Sequence, residues 1–210
     1  MGVGQISAAP RTAPRVAIFD RDGTLIDVVR DEETGVIVTA FHPSHIRFLA
    51  GAIEGMRALQ NAGFLLAIAT NQPGPAKGQC SAEAVVRTND ALVARLAAEG
   101  VTLSSVKVCM HHPDGGEGGD ARLVHACVCR KPKPGLLDEV LNDVGADRST
   151  SWMIGDTRSD LLAARAAGVR GALVFSTDRC ELCPLRDGPP GAPDVYGPTV
   201  LAIAREILRP

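Results

Sequence analysis

Short apolar segments, each followed by a segment of helical periodicity, extend from residue 15 to the end of the chain. The apolar segments are continuous and do not alternate with polar residues, which is typical of strands covered on both faces. Five such repeats predict an α/β fold with a doubly wound parallel sheet. The predicted strands are RVAIFD, FLLAIAT, SVKVCM, SWMIGD and VRGALVF. The predicted helices are GAIEGMRALQNAG, SAEAVVRTNDALVARLAAEG, PGLLDEVLNDVG, RSDLLAARAAG and PTVLAIAREIL.

Residues at the ends of the periodic segments support these helices. Ser81 is placed to cap the N-terminus of a helix that Gly100 would end. Gly63, Gly145 and Gly168 each follow a periodic segment, where glycine commonly ends a helix.

The chain of 210 residues fits one domain, which we place at residues 15–210 behind a flexible arm at residues 1–14. The N-terminal segment has no apolar core of a signal peptide, and no later segment has the roughly 18 apolar residues of a membrane span. We therefore expect a cytoplasmic protein, most simply a monomer. A net charge of −2 and an aromatic content of 3% argue against nucleic-acid binding. Six cysteines fit reduced thiols or metal ligands better than disulfides.

The segment FDRDGTLID places Asp20 and Asp22 directly after the first predicted strand. Two carboxylates this close repel each other and need a cation or a proton. Thr70 and Asp156 end two further predicted strands, and parallel sheets bind ligands beyond these ends. The pattern predicts a site there, although a single Asp in such a position is often only a solvated loop residue or a helix cap.

Phosphoryl transfer would use all of these groups. Asp20 could attack phosphorus, and Asp22 could protonate the leaving oxygen and later deprotonate water. Asp156 would be a further oxygen ligand of Mg²⁺, and Asp160, one helical turn later, could orient the water ligands of the metal. Such a site also needs positive charge and hydrogen-bond donors around the phosphoryl group. These would come from Lys131 and from Thr70 with the backbone that follows it.

These residues resemble the four motifs of the haloacid dehalogenase superfamily. The matching residues are Asp20-Arg21-Asp22-Gly23-Thr24, Thr70-Asn71-Gln72, Lys131, and Gly155-Asp156 with Asp160. The resemblance implies a Rossmann-like core, without a separate cap domain in this chain, and an aspartyl-phosphate formed on Asp20. It implies Asp22 as acid and base, Mg²⁺ on Asp20, Asp22 and Asp156, and substrate contacts from Asn71 and Gln72.

The segment CMHHPDGGEGGDARLVHACVC at 109–129 carries a second candidate metal site. Three thiolates and one imidazole match a closed, structural zinc site. The candidate ligands are Cys109, His111, Cys127 and Cys129. Spacing alone leaves two alternatives open: Cys109 could be a core residue beside solvated histidines, or His112 or His125 could replace His111.

The pattern C-x-H-H-P followed by C-x-C-R-K-P resembles a zinc-bearing branch of the superfamily. That branch includes phosphatases of heptose 1,7-bisphosphate and of histidinol phosphate, and zinc is held at the positions of the four candidate ligands. The 15 residues between His111 and Cys127 resemble the longer loop of the heptose enzymes. The resemblance therefore implies removal of the C7 phosphate of D-glycero-D-manno-heptose 1,7-bisphosphate, a step in the biosynthesis of nucleotide-activated heptose. Histidinol phosphate or another small sugar phosphate is the alternative substrate.

Arg130 and Lys131 directly follow a zinc ligand, so a bound zinc would fix where both cations point. The planar donor fork of Arg130 suits the second phosphate of a bisphosphate, and the alternative is a solvated pair of charges. The segment 28–45 and Thr157 depart from the pattern of the family, and no role is predicted for Cys180 and Cys183. A catalytic zinc hydrolase and a non-enzymatic zinc-stabilised interaction module remain as alternative classes.

Overall fold

The computed structural model describes residues 13–30, 37–176 and 193–209. Within them, six parallel strands form one sheet in the order β5-β4-β1-β6-β7-β8, and β2 pairs with β3 as a separate antiparallel hairpin. The strands are β1 (Val16–Phe19), β2 (Val29–Arg30), β3 (Ile37–Val38), β4 (Leu65–Asn71), β5 (Ser105–Cys109), β6 (Trp152–Gly155), β7 (Arg170–Val174) and β8 (Val195–Gly197). The doubly wound parallel sheet is confirmed, and the short strands β2, β3 and β8 were not predicted.

Helices follow the strands where the periodicity predicted them. They are α1 (Ala52–Asn61), α2 (Ala82–Ala98), α3 (Gly135–Val144), α4 (Arg158–Ala167) and α5 (Val200–Ile207). The predicted cap Ser81 accepts a hydrogen bond from the backbone N–H of Ala84. Gly145 and Gly168 end α3 and α4 in the left-handed conformation, as expected for helix-ending glycines.

The apolar core lies on both faces of the sheet. Helices α1, α2 and α5 pack on one face, and α3 and α4 on the other. Strand β1 contributes to both layers, since Ala17 and Phe19 point to the first face and Val16 and Ile18 to the second. Burial of all four residues explains why the segment is continuously apolar.

The centre of the sheet is the place where the chain reverses its direction of winding. Strand β1 lies between β4 and β6, and the backbone N–H of Asp20 donates to the carbonyl of Ile154 at 2.9 Å. The chain continues outward from β4 to β5 on one side and from β6 to β8 on the other. The carboxyl end of β1 is therefore at the switch point, where open α/β sheets bind their ligands.

Two loops lie close to this end of the sheet. The hairpin of β2 and β3 belongs to the segment 28–45, and residues 31–36 of it lie outside the described residues. The glycine-rich loop 115–119 packs against the backbone of residues 76–78, and the next N–H, of Asp120, donates to the carbonyl of Pro75 at 2.9 Å. Residues 1–12 of the predicted arm and both Cys180 and Cys183 also lie outside the described residues.

Candidate active site

A cleft of about 250 Å³ opens at the carboxyl ends of β1, β4 and β6. Six of the residues predicted from the sequence contribute to it, together with two from the hairpin segment and two from the start of α4. Its walls are formed by Asp20, Asp22, Val28, Thr39, Thr70, Asn71, Lys131, Asp156, Thr157 and Ser159. The structure thus brings together residues that are distant in the sequence, since Asp20 and Ser159 are 139 positions apart.

Lys131 is the buried cation of the cleft. Its Nζ lies 2.8 Å from Asp20 Oδ1 and 2.6 Å from Asp160 Oδ1, and it donates to the carbonyl of Ala69 at 2.8 Å. Burial alone would lower the pKa of Lys131, but Asp160 and Asp20 outweigh burial and raise it. Lys131 is therefore a permanent positive charge beside the carboxylate of Asp20.

Asn71 holds the backbone of Lys131 in place. Its Nδ2 donates to the carbonyl of Lys131 at 3.0 Å, and its Oδ1 accepts from the N–H of Lys131 at 3.1 Å. Asn71 was predicted to contact the substrate. The structure shows that it also connects the end of β4 to the segment that carries Lys131.

Three carboxylates meet next to this lysine. Oxygen atoms of Asp20, Asp156 and Asp160 all lie within 4.8 Å of one another. Burial raises the pKa of Asp20 to about 6 in spite of the opposing charge of Lys131. Burial, Asp20 and Asp160 also raise the pKa of Asp156 well above its ordinary value. The three carboxylates offer hard oxygen donors, and they need a nearby positive charge to remain ionised. Such a set of ligands fits Mg²⁺.

Two glycines allow these carboxylates to approach the backbone. A Cβ on Gly23, which has a φ of +84°, would lie 2.1 Å from Asp156 Oδ2. A Cβ on Gly155 would lie 2.3 Å from Asp160 Cγ. Asp160 is fixed further by Thr157, whose N–H and hydroxyl both donate to Asp160 Oδ2, at 3.0 and 2.6 Å. These contacts explain why the sequence has Gly23 directly after Asp22 and Gly155 directly before Asp156.

Asp22 lies in a different group of side chains. Its carboxylate accepts hydrogen bonds from Arg21, Gln72 and the backbone N–H of Ala40. Among the described residues, the group that could hold a metal at this site contains Asp160 and not Asp22. Asp160 was expected to orient water, and ligation of Mg²⁺ by the side chain of Asp22 stays a prediction.

Thr70 and Gln72 are both buried at the end of β4 and the turn after it. Gln72 Nε2 donates to Thr70 Oγ1 at 2.9 Å and to Asp22 Oδ2 at 2.7 Å. Thr70 lines the cleft, whereas the amide of Gln72, which is 1% exposed, is directed at protein groups. Contact between Gln72 and substrate stays a prediction.

The cysteine and histidine cluster is assembled from the end of β5 and the segment before α3. The three thiol sulfur atoms are 3.1–3.6 Å apart, and His111 Nδ1 lies 3.6 Å from Cys109 Sγ and 3.3 Å from Cys129 Sγ. A tetrahedral ion with Zn–S bonds of about 2.3 Å would place its sulfur ligands about 3.8 Å apart, close to these distances. The backbone N–H of Arg130 also points at Cys127 Sγ, at 3.4 Å. The donor set and spacing fit a structural zinc ion.

His111, and not its two rivals, belongs to this cluster among the described residues. The ring of His125 packs 4.4 Å from that of His111, and its Nδ1 lies 3.0 Å from the carbonyl of Ala126. His112 Nδ1 accepts from the N–H of Asp114. Arg130 donates to the carbonyl of His111 at 3.4 Å and does not contribute to the walls of the cleft.

Sequence reasoning missed the network around Arg21. This arginine is fully buried, although its neighbours in the sequence are two acids of the cleft. Asn89 of α2 and Ala40 after β3 complete its contacts. A charged residue between two candidate catalytic acids was the available signal, but its partner on α2 is 68 positions away and no local pattern identifies it.

Comparison with known proteins places the chain in a family. A model of haloacid dehalogenase-like hydrolases, described as HAD-hyrolase-like, matches residues 128–200. D-glycero-beta-D-manno-heptose-1,7-bisphosphate 7-phosphatase of Pasteurella multocida (strain Pm70) is 33% identical over 164 residues, which cover 78% of this chain and 83% of that protein. The Yersinia pestis phosphatase of the same name is 34% identical over 164 residues, 78% of this chain and 81% of that one. The chain belongs to the haloacid dehalogenase-like phosphatase family.

Solved structures agree with this family membership. D,D-heptose 1,7-bisphosphate phosphatase from B. bronchiseptica, crystallised with magnesium and phosphate, matches this family member with a TM-score of 0.73 and 26% identity. The match covers 92% of this chain and 98% of that one. Within the described residues, this haloacid dehalogenase-like phosphatase has no helix that is long and apolar enough to cross a membrane.

Proposed function

We propose that this family member is a Mg²⁺-dependent phosphatase that removes the C7 phosphate from D-glycero-D-manno-heptose 1,7-bisphosphate. The observation that carries the proposal is the position of Asp20, which lies at the switch point of the sheet with Lys131 at 2.8 Å and two further carboxylates beside it. The names of the relatives support the substrate and favour the β anomer. The product would serve the biosynthesis of nucleotide-activated heptose.

In the first step, a carboxylate oxygen of Asp20 attacks the phosphorus of the C7 phosphate. A P–O bond to Asp20 forms while the bond between phosphorus and the C7 oxygen breaks, and Asp22 gives its proton to that oxygen. Lys131 stabilises the charge on the transferring group, assisted by the hydroxyl of Thr70 and the N–H groups after it. The heptose monophosphate leaves as a neutral alcohol at C7, and Asp20 remains phosphorylated.

In the second step, Asp22, now a carboxylate, takes a proton from a water molecule that attacks the aspartyl-phosphate. The new P–O bond to water forms and the P–O bond to Asp20 breaks, which releases inorganic phosphate and restores the carboxylate of Asp20. Asp22 is protonated again and ready for the next substrate. Each cycle consumes one monoester and one water molecule and yields one alcohol and one phosphate.

Mg²⁺ held by Asp20, Asp156 and Asp160, with Asp22 as the further predicted ligand, would offset the negative charge of the phosphoryl oxygens. Zinc held by Cys109, His111, Cys127 and Cys129 would act on the structure. One of its ligands, Cys129, directly precedes Arg130 and Lys131, so the ion would fix the backbone that presents both cations. Arg130 would bind the second phosphate of the substrate.

The test is the Asp20→Asn variant assayed beside Asp143→Asn, a surface control on α3. We expect Asp20→Asn to lose turnover by at least ~10³-fold while its zinc content and circular dichroism stay unchanged, since no carboxylate remains to attack. The assay compares both anomers of the bisphosphate with histidinol phosphate. Retained turnover in Asp20→Asn would favour a catalytic zinc hydrolase, and absence of turnover on every ester with the natural chain would favour an interaction module.

Three further expectations belong to this proposal. The three cysteine ligands of zinc must stay reduced to bind the ion, and a reducing compartment favours this, which supports a cytoplasmic location. Residues 15–210 would form one domain, whose central sheet carries the cleft at the carboxyl ends of its strands. A monomer that binds a small sugar phosphate is the simplest assembly consistent with this arrangement.

A further inference from the structure

Arg21 is a buried cation whose contacts converge on Asp22. Its Nε donates to Asp22 Oδ2 at 2.8 Å and its second terminal nitrogen to Asp22 Oδ1 at 3.2 Å, which is the two-pronged contact of a guanidinium with a carboxylate. The side chain of Arg21 is 0% exposed and that of Asp22 is 8% exposed. The pair is thus almost completely removed from water at the wall of the cleft.

Protein donors fill the remaining acceptor positions of Asp22. Gln72 Nε2 donates to Oδ2 at 2.7 Å and the backbone N–H of Ala40 to Oδ1 at 2.9 Å. The two oxygens therefore accept four hydrogen bonds when the carboxylate is ionised, and the proton of Asp22, when present, takes the place of one of them. The carboxylate orientation is therefore determined by four bonds from three different parts of the chain.

Arg21 itself is anchored on its far side. Its first terminal nitrogen donates to Asn89 Oδ1 on α2 at 2.7 Å. Its second terminal nitrogen shares its two hydrogens among Asp22 Oδ1, Gln72 Oε1 at 2.9 Å and the carbonyl of Ala40. The guanidinium is consequently held by a helix, by the turn after β4 and by the chain after β3. This arrangement leaves little freedom for the guanidinium, and hence little for the carboxylate it grips.

A fully buried ion pair is an expensive way to stabilise a fold, because apolar residues of similar volume are often at least as stabilising. Purely structural packing between β1 and α2 would not require a charged side chain. A carboxylate that must be held in one orientation while negative charge develops on it benefits from a fixed cation with matching geometry.

We propose that Arg21 is a positioning residue that holds Asp22 where it can protonate the leaving oxygen and stabilises the carboxylate left behind. The inference rests on the proposed role of Asp22 as acid and base. When the C7 oxygen takes the proton, negative charge develops on Asp22, and the guanidinium fork interacts most strongly with that charged form. Arg21 acts through Asp22 and does not need to touch the substrate.

The dependence of the rate on the leaving group separates positioning from mere folding. An alkyl leaving group such as the sugar C7 oxygen needs a proton as it departs, whereas 4-nitrophenolate is a stable anion and leaves without one. Weakened acid catalysis therefore slows cleavage of the sugar ester more than that of the aryl ester. A general loss of active-site structure would slow both.

The experiment measures the single-turnover rate of ester cleavage for heptose 1,7-bisphosphate and for 4-nitrophenyl phosphate. In Arg21→Lys, which keeps the charge and loses the fork, we expect the sugar ester to slow by roughly 10–100-fold and the aryl ester by less than about 3-fold. Asn89→Ala, which removes only the far anchor, should show a smaller loss with the same preference. Arg95→Lys on the same helix is the matched control, since Arg95 donates to the carbonyl of Ile46 away from the cleft, and both rates should persist.

The Asp22→Asn variant is the reference, because it tests the acid role of Asp22 separately from the positioning role of Arg21. If Asp22→Asn slows the sugar ester selectively while Arg21→Lys and Asn89→Ala slow both esters equally, the acid role of Asp22 stands and the role of Arg21 is overturned. If Asp22→Asn itself shows no selectivity, both are overturned. Should Arg21→Lys fail to fold, the same comparison in Asn89→Ala decides the matter.

Discussion

Replacing Asp20 by Asn is expected to stabilise the metal-free protein while it abolishes activity. Burial raises the pKa of Asp20 from 3.8 to about 6, although Lys131 opposes the change. A carboxyl group with a higher pKa in the folded than in the unfolded state lowers the free energy of unfolding once it is ionised. Asn resembles the protonated carboxyl group in shape and hydrogen bonding and carries no charge, so the substitution removes this destabilisation.

The magnitude follows from the pKa. The difference between 3.8 and about 6 corresponds to about 3 kcal/mol at neutral pH, because one pKa unit is worth about 1.4 kcal/mol. In a chain of 210 residues, 1 kcal/mol changes Tm by roughly 2–4 °C, so we expect Asp20→Asn to raise Tm by roughly 6–12 °C. Below 3.8 both states are protonated and the gain vanishes. The gain in stability grows as the pH rises from 3.8 to about 6. At about pH 5 it is roughly half of its value at neutral pH.

The assay is thermal unfolding of zinc-loaded, Mg²⁺-free protein, followed by circular dichroism at about pH 7.5 and about pH 5. Asp143→Asn is a control with the opposite sign, because hydrogen bonds from Lys107 and Ser105 lower the pKa of Asp143. Its loss of stability should be larger at the higher pH. Added Mg²⁺ should raise the Tm of the natural chain more than that of Asp20→Asn. A variant that melts no higher than the natural chain at about pH 7.5, or gains as much at about pH 5, would refute the reasoning.

Three other changes test individual contacts. Asn71→Ala removes both bonds to the backbone of Lys131 and should lower kcat/KM by roughly 10–100-fold with little change in Tm, measured by steady-state phosphate release. Gly23→Ala places a Cβ against Asp156 and should raise the Mg²⁺ concentration needed for half-maximal rate by at least about 10-fold, measured by Mg²⁺ titration. Removing zinc, by chelation or by Cys129→Ser, should lower kcat by loosening Lys131 even after Mg²⁺ is restored, measured by kinetics and metal analysis.

The substitutions of Asn71 and Gly23 each have a matched control variant. Asn142→Ala, on an exposed turn of α3, should leave the kinetics unchanged, and an equal loss there would contradict the role of Asn71. Gly145→Ala also introduces a Cβ at positive φ, but nothing lies within 4 Å of it. It should reduce stability without changing the Mg²⁺ titration. Full turnover in zinc-free protein would contradict the mechanical role of the zinc loop.

Much of the fold could be predicted from the sequence because the strands of a parallel sheet have a recognisable local sequence pattern. Strands buried on both faces must be continuously apolar, and the acids at their ends could be located by counting to the last apolar residue. Asp20 and Asp156 occupy such positions. Strand β8 has no such continuous apolar segment, since it is three residues long and one of them, Tyr196, is 72% exposed.

Most residues of the site could be predicted from the sequence, but which of them contact one another could be predicted less well. Asp160 joins Asp20 because Gly155 lets its side chain fold back over β6, and that close approach is a property of the folded backbone. Burial of Arg21 depends on Asn89, which is distant in the sequence, and no role for Arg21 was predicted from the sequence. The orientation of a carboxylate is likewise set by partners that come together only in the fold.

The glycine-rich loop 115–119 has the composition of a flexible linker, yet its backbone lies in direct contact with residues 76–78. Engineers who choose sites for tags, fluorescent inserts or circular permutation often favour such stretches. Here an insertion would push apart the metal-bearing loop and the turn that follows β4, and would disturb both at once. Composition alone would therefore direct such work to a loop whose close backbone contacts leave no room for an insertion.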